Sequence, residues 1–166
     1  MAGRAAVITC SDLAAADPRE DRGGPVLREA LRELGFEVLP AVIVPLEVDA
    51  IRRAIAAALA DGCRVIATAG GTSLGPRDVT VDATKPFLAY ELPGVMDEVR
   101  RRGAPVEPRS VLSRGLIGVV APDDGPRALL VNAPGSRGGA RDTIAVVGPL
   151  LAYIMEQFDE VPHRLD

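Results

Sequence analysis

Apolar residues in this chain fall into short continuous runs, separated by stretches whose apolar positions recur every three or four residues. Arg4 to Cys10 is the first run and reads as a buried strand. Ser11 to Gly24 is polar, carries Pro18 and two glycines, and reads as a long loop. Pro25 opens a helix in which Val26, Leu27, Ala30, Leu31 and Leu34 share one face, and Gly35 ends it. Phe36 to Val44 reads as a second strand. Glu47 to Ala60 is helical, with Ile51, Ile55 and Leu59 spaced by four and Gly62 as the stop. Arg64 to Thr68 is a third apolar run. Strand, helix, strand, helix, strand at these lengths predicts a parallel α/β unit with right-handed crossovers.

The second half is less regular. Pro93 opens a short helix ending in Arg100-Arg101-Arg102 before Gly103. Three cations there suit the negative end of a helix, a simpler reading than a phosphate clamp. Arg114 to Val120 and Arg127 to Val131 read as strands, and Ala140 to Phe158 as a helix interrupted by Pro149. With no repeat and no linker, residues 1–158 read as one domain and 159–166 as a polar tail.

In parallel α/β sheets ligands bind beyond the carboxyl ends of the strands. Two polar segments start at that edge, one at Ser11 and one at Gly70. The second reads Gly70-Gly71-Thr72-Ser73-Leu74-Gly75-Pro76-Arg77-Asp78-Val79-Thr80. A diglycine lets the backbone turn sharply and present N–H groups to an anion. Arg77 adds a fixed positive charge, Asp78 a carboxylate able to hold Mg²⁺, and Thr72 and Thr80 add hydroxyls. A glycine pair alone would be only a solvated turn. The run is not a P-loop, because Pro76 and Arg77 follow Gly75 where Lys and Ser or Thr are needed. Neither does a Gly-x-Gly-x-x-Gly follow the first strand. A second strand-to-helix turn, Pro134-Gly135-Ser136, offers an anion the start of the last helix, though capping alone also accounts for Ser136.

Composition removes several other functions. The net charge is −4, so no basic footprint for nucleic acid is visible, and an anionic ligand needs local arginines, N–H groups or a metal. Aromatics are 3% with no Trp, which argues against base-stacking platforms. The one histidine, His163, lies in the tail, which excludes a Ser-His-Asp triad and a His-rich metal site. Cys10 and Cys63 flank predicted strands and read as buried apolar residues, neither a disulfide framework nor a zinc site. Nothing reads as a signal peptide or a membrane span, so a cytoplasmic protein is expected.

Taken in order, the motifs resemble the molybdenum-cofactor biosynthesis family: the Mog and MoaB proteins and the G domain of gephyrin. The resemblance spans about Arg4 to Phe158. It is carried by Ser11-Asp12, Asp21 with Gly24, Gly70-Gly71-Thr72, Pro76-Arg77-Asp78-Val79-Thr80 and Ala83-Thr84. Further along it is carried by Glu91-Leu92-Pro93-Gly94, Leu112-Ser113-Arg114, and Asn132 with Pro134-Gly135-Ser136. The resemblance implies a three-layer α/β/α sandwich with a mostly parallel central sheet, assembled as a homotrimer or hexamer. It also implies binding of molybdopterin, with ATP as cosubstrate and Mg²⁺ in members that attach AMP to the pterin's phosphate. Other cofactor-biosynthesis proteins are implied as partners. In that picture Asp78 is catalytic and holds the metal. Ser11, Asp12, Gly70, Gly71, Thr72, Ser73, Arg77, Thr80, Ser113, Arg114, Pro134, Gly135 and Ser136 bind substrate.

The sequence departs from the family at three places. Ser73 stands where the family has a glycine after Gly-Gly-Thr, and Gly23 where its Asp-x-Ser-Gly motif has serine. Catalytic members carry an acid directly after the proline that ends the second strand, and here Leu46 follows Pro45. Either Glu47 takes over that catalytic role, or the protein is a MoaB-type binder of molybdopterin or a precursor without adenylyl transfer. A helix-start carboxylate explains Glu47 equally well. A CinA-like nucleotide-processing domain ranks last, since those chains are usually longer.

Overall fold

The computed structural model describes residues 3–159. The elements in chain order are β1 (Arg4–Cys10), α1 (Asp12–Ala16), a 3-10 turn (Pro18–Glu20), α2 (Gly24–Glu33), β2 (Glu37–Val38), β3 (Val42–Val44) and α3 (Val48–Ala60). Then come β4 (Cys63–Ala69), α4 (Thr80–Thr84), a 3-10 turn (Lys85–Phe87), β5 (Tyr90–Glu91), α5 (Pro93–Gly103), a 3-10 turn (Pro108–Leu112), β6 (Ile117–Val120), β7 (Ala128–Ala133) and α6 (Arg137–Asp159).

One sheet organises them in the order β2-β1-β4-β7-β6-β5, with β3 also paired to β1. The pairings of β1 with β2, β3 and β4, and of β4 with β7, are parallel. The β6 and β5 pairings are antiparallel. Alternate residues of a strand face opposite sides, and β1 shows it directly. Ala5 and Val7 pack with Leu27 and Leu31 of α2, Met96 of α5, and Val147 and Leu151 of α6. Ala6, Ile8 and Cys10 pack with Ile51, Ile55 and Ala58 of α3 and Ala83 of α4. The result is the expected α/β/α sandwich, and both faces of the central strands are covered, so those strands are continuous apolar runs. Both cysteines are buried, and burial pushes the Cys10 thiol up to about 12.

Several boundaries differ from the reading of the sequence. Ser11 to Gly24 is not one loop. Ser11 Oγ accepts from Ala14 N at 3.2 Å and starts α1, and Asp17 accepts from Arg19 N at 3.1 Å and starts the 3-10 turn. These two short elements start from such caps and are too short to carry a periodic signal. Phe36 to Val44 is two strands rather than one. From the pairs Ala5↔Val38 to Ile8↔Val42 the chain advances three residues on β1 and four on its partner, with Pro40 inside the break. Proline lacks the N–H a ladder needs, and the extra residue bulges.

The third helix begins at Val48, with Glu47 as its N-cap. Pro149 does not interrupt α6, whose buried Val147, Leu151 and Met155 hold the helix to the sheet on both sides of it. The strand expected from Arg114 starts only at Ile117, because Arg114 N turns aside to donate to Thr72 O at 2.8 Å. Asp159, read as tail, ends α6 and pairs with Arg64 at 2.9 Å. The rest of the expected tail, His163 included, lies outside the described residues.

One buried polar group ties the layers together. The Asn132 side chain on β7 accepts from Leu116 N at 3.0 Å and donates to Thr68 Oγ1 at 2.9 Å and Thr84 Oγ1 at 3.0 Å. It joins β4, β7, α4 and the approach to β6. Replacing it with alanine would leave an amide N–H and two hydroxyls unmatched in the core. Asn132→Ala is expected to lower stability by about 3 kcal/mol. Urea unfolding should show this as a lower midpoint at an unchanged m value.

Candidate functional site

The carboxyl ends of β1, β4 and β7 lie side by side, and the segments leaving them meet almost backbone to backbone. Gly70 has φ +104°, and a Cβ there would stand 2.5 Å from Cys10 O. Only glycine allows both the conformation and the contact. Gly70 N donates to Ala133 O at 2.9 Å, which holds the β4 exit against the β7 exit. The N–H groups of Gly71, Thr72 and Ser73 meet no acceptor among the described residues.

Two cavities open at this edge. The first, of about 400 Å³, is lined by Thr72, Ser73, Gly103, Val106, Glu107, Arg109, Ser110, Ser113, Pro134, Ser136, Gly138, Gly139 and Asp142. The second, of about 530 Å³, is lined by Thr9, Cys10, Ser11, Leu13, Glu20, Arg22, Leu46, Ala69 to Ser73, Asp78 and Pro134 to Ser136. Thr72, Ser73, Pro134 and Ser136 belong to both, so the cavities share a wall.

Most of the residues singled out in the sequence are brought together here. Ser11, Gly70, Gly71, Asp78 and Gly135 line the second cavity, Ser113 the first, and Thr72, Ser73, Pro134 and Ser136 both. Ser136 also caps α6 by accepting from Gly139 N at 3.0 Å. Five others stand behind the walls. Arg77 reaches Asp12 through two hydrogen bonds of 2.7 and 2.8 Å. Asp12 also accepts from Leu46 N at 2.9 Å. Its carboxyl therefore lies below the usual carboxylate range, first because of the Arg77 bonds and then because of the Leu46 amide.

Thr80 is buried under Gly71 and donates its N–H to Gly71 O at 3.1 Å. Arg114 donates to Asp78 O at 2.7 Å, Ser73 O at 3.2 Å and Asp82 Oδ2 at 3.1 Å, so it braces the glycine loop from outside. Glu47 is exposed ahead of α3, close enough for its charge to act on Arg77, and lines neither cavity.

Leu46 is inside the site. Its Cδ2 lies 2.6 Å from the point where a Cβ on Gly71 would stand, so this apolar side chain covers the glycine turn. Several lining residues carried no sequence signal. Glu107 and Ser110 sit in a 3-10 segment with no period to read, and Asp142 lies in the second turn of α6. Arg109 holds Glu107 down to about 2 and therefore ionised. The arginine triplet of α5 is engaged by groups of the protein itself. Arg100 donates to Ser113 O at 2.8 Å and Gly115 O at 3.0 Å, Arg101 pairs with Glu98, and Arg102 approaches Asp142 at 3.5 Å.

The site of this α/β protein is thus two adjoining cavities with a bare N–H turn between them. Over residues 6–153 the sequence matches the family described as "Probable molybdopterin binding domain". The chain belongs to this molybdenum-cofactor biosynthesis family, in its Mog and MoaB group. It is 35% identical over 150 residues to a molybdenum cofactor biosynthesis bifunctional protein of Chlorobaculum tepidum, covering 90% of this chain and 46% of that protein. The chain thus spans about half the length of that relative. It is 31% identical to a molybdopterin adenylyltransferase of Pyrococcus furiosus, covering 93% of this chain and 90% of the relative. A solved molybdopterin biosynthesis protein from Mycobacterium abscessus superposes with a TM-score of 0.85 at 35% identity, covering 95% of this chain and 96% of that one. Among the described residues no helix is long and apolar enough to cross a membrane.

The Asp12–Arg77 clasp has a defined pH dependence. Because the folded pKa of Asp12 lies below its unfolded value, the clasp contributes fully above the unfolded value and is lost as pH falls through the folded one. An NMR titration of Asp12 is expected to show a midpoint below that of an ordinary aspartate, moving up toward it in Arg77→Ala.

Proposed function

We propose that this chain binds molybdopterin with the pterin in the first cavity and the phosphate at the glycine turn, beside an adenosine phosphate in the second. The shared wall of Thr72, Ser73, Pro134 and Ser136 is the observation that carries this reading. It brings the two ligand halves to one set of free N–H groups. Ser73, Ser110, Ser113 and Ser136 and the carboxylate oxygens of Glu107 and Asp142 in the first cavity supply acceptors for the donor-rich edge of a pterin.

Such a placement serves adenylyl transfer. A phosphate oxygen of molybdopterin attacks the α-phosphorus of ATP, a new P–O bond forms, the α–β bridging bond breaks, and pyrophosphate leaves with the electron pair. The nucleophile is already ionised, so positioning and charge neutralisation suffice. The same placement equally serves holding the pterin or its adenylylated form without transfer.

Leu46 favours holding. Mg²⁺ is the cation that the resemblance implies, and the donors present do not fit it. Asp78 Oδ2 accepts from Gly75 N at 2.9 Å. Asp12 is engaged by Arg77 and Leu46 N, and Leu46 offers no ligand atom. Among the described residues no three His, Cys, Asp or Glu side chains gather as a metal-holding group. No step is therefore routed through a cation. A trimer or pair of trimers belongs to the same reading.

Single-turnover mass analysis with molybdopterin, ATP and Mg²⁺ separates the alternatives. Bound pterin without an AMP adduct, and adduct formation in Leu46→Asp, are the expected results. A fast wild-type reaction would establish transfer instead, and absence of pterin binding would remove the proposal.

A further inference from the structure

We infer that the second cavity takes an adenosine monophosphate group without a divalent cation, and that Leu46 decides this. The inference rests on the reading of that cavity as the nucleotide half of the site. Leu46 lies directly over Gly71, with its Cδ2 2.6 Å from the position of a Cβ there. Mg²⁺ keeps a shell of waters about 2.1 Å from the ion, and an apolar branched side chain can neither enter that shell nor hydrogen-bond to it.

Each carboxylate that lines the cavity or stands behind its wall has a protein partner on at least one oxygen, and Glu47 lines neither cavity. Asp12 has Arg77 on both oxygens, Asp78 holds Gly75 N, and Glu20 accepts from Arg22 at 3.4 Å. The cavity is lined by apolar side chains and the glycine turn, together with the polar Thr9, Ser11, Glu20, Arg22 and Asp78. Leu13, 71% exposed, and Leu46 both line it. An apolar wall suits the flat face of a nucleobase, and the N–H groups of Gly71, Thr72 and Ser73 suit one compact phosphate. A triphosphate with no cation would bring its extra negative charge against the carboxylates of Asp78 and Glu20, which line the same cavity, while the Arg22 guanidinium that also lines it is shared with Glu20. The site therefore selects the monophosphate.

The test is calorimetric titration of the whole protein with AMP and with ATP, each with saturating Mg²⁺ and with EDTA. AMP affinity is expected to agree within about twofold in the two conditions and to exceed that of ATP in EDTA. In Leu46→Asp, Mg²⁺ is expected to strengthen nucleotide binding by about tenfold or more. Leu46→Ala removes the wall without adding a ligand. It should weaken AMP while leaving binding independent of Mg²⁺, and it decides the role of Leu46 if the aspartate variant does not fold.

Wild-type AMP binding that strengthens about tenfold on adding Mg²⁺ would overturn this inference and leave the nucleotide reading standing. Unchanged AMP affinity in Leu46→Ala would overturn the role of Leu46. A protein that binds molybdopterin but no AMP in either condition would overturn the nucleotide reading and this inference with it.

Discussion

The direct approach of backbones beyond β1, β4 and β7 is the constraint on which the site depends. A Cβ on Gly135 would stand 3.2 Å from Gly70 Cα, and one on Gly23 would stand 2.9 Å from Gly135 O. No side chain intervenes where these backbones meet, and the N–H groups of Gly71, Thr72 and Ser73 are left without an acceptor among the described residues. The parallel register of β1 with β4, and of β4 with β7, brings the three exits to one level. A sheet built this way gathers dipoles without needing a catalytic side chain at the same point.

Arginines secure this arrangement from outside. Arg77 clasps Asp12, Arg114 grips the carbonyls of Ser73 and Asp78, and Arg100 grips those of Ser113 and Gly115. The planar guanidinium, with several donors in fixed directions, suits joining loops that have no ladder between them. The consequence is electrostatic as well as mechanical. Arg77, Arg100 and Arg114 are thereby engaged within the protein, and the N–H groups of Gly71, Thr72 and Ser73 are left without an acceptor among the described residues.

Leu46 shows how a fold and its chemistry separate. Its amide helps hold Asp12, so the turn after β3 keeps its place in the architecture. Its side chain changes what the turn can contact. An apolar group over the glycine turn offers no ligand atom to a cation, while the sandwich beneath it superposes on that of a solved relative with a TM-score of 0.85. Function therefore resides in the site residues rather than in the layers that carry them.

The long elements were legible along the chain. Val26 to Leu34 and Ile51 to Leu59 carry the helical spacing, and the apolar runs before Cys10 and Ala69 are strands buried on both faces. Periodicity is set by which face meets the core, and a core of this size imposes it on any long element. The segments starting at Ser11 and Gly70 were legible too, because the order of the pattern alone puts both at one edge, and Pro134-Gly135-Ser136 was legible as a strand-to-helix turn. The short pieces were not: α1 rests on the single cap of Ser11, α4 is one short turn with no side-chain cap, and the break at Pro40 comes from a missing N–H and one extra residue against β1. Nor could spacing along the chain show that Arg77 and Arg114 face carboxylates and carbonyls, that Glu47 stands outside both cavities, or that Asp142 and Ser110 line one. Those are contacts between segments dozens of residues apart, and only packing the layers decides which polar groups are consumed by the fold and which remain for a ligand.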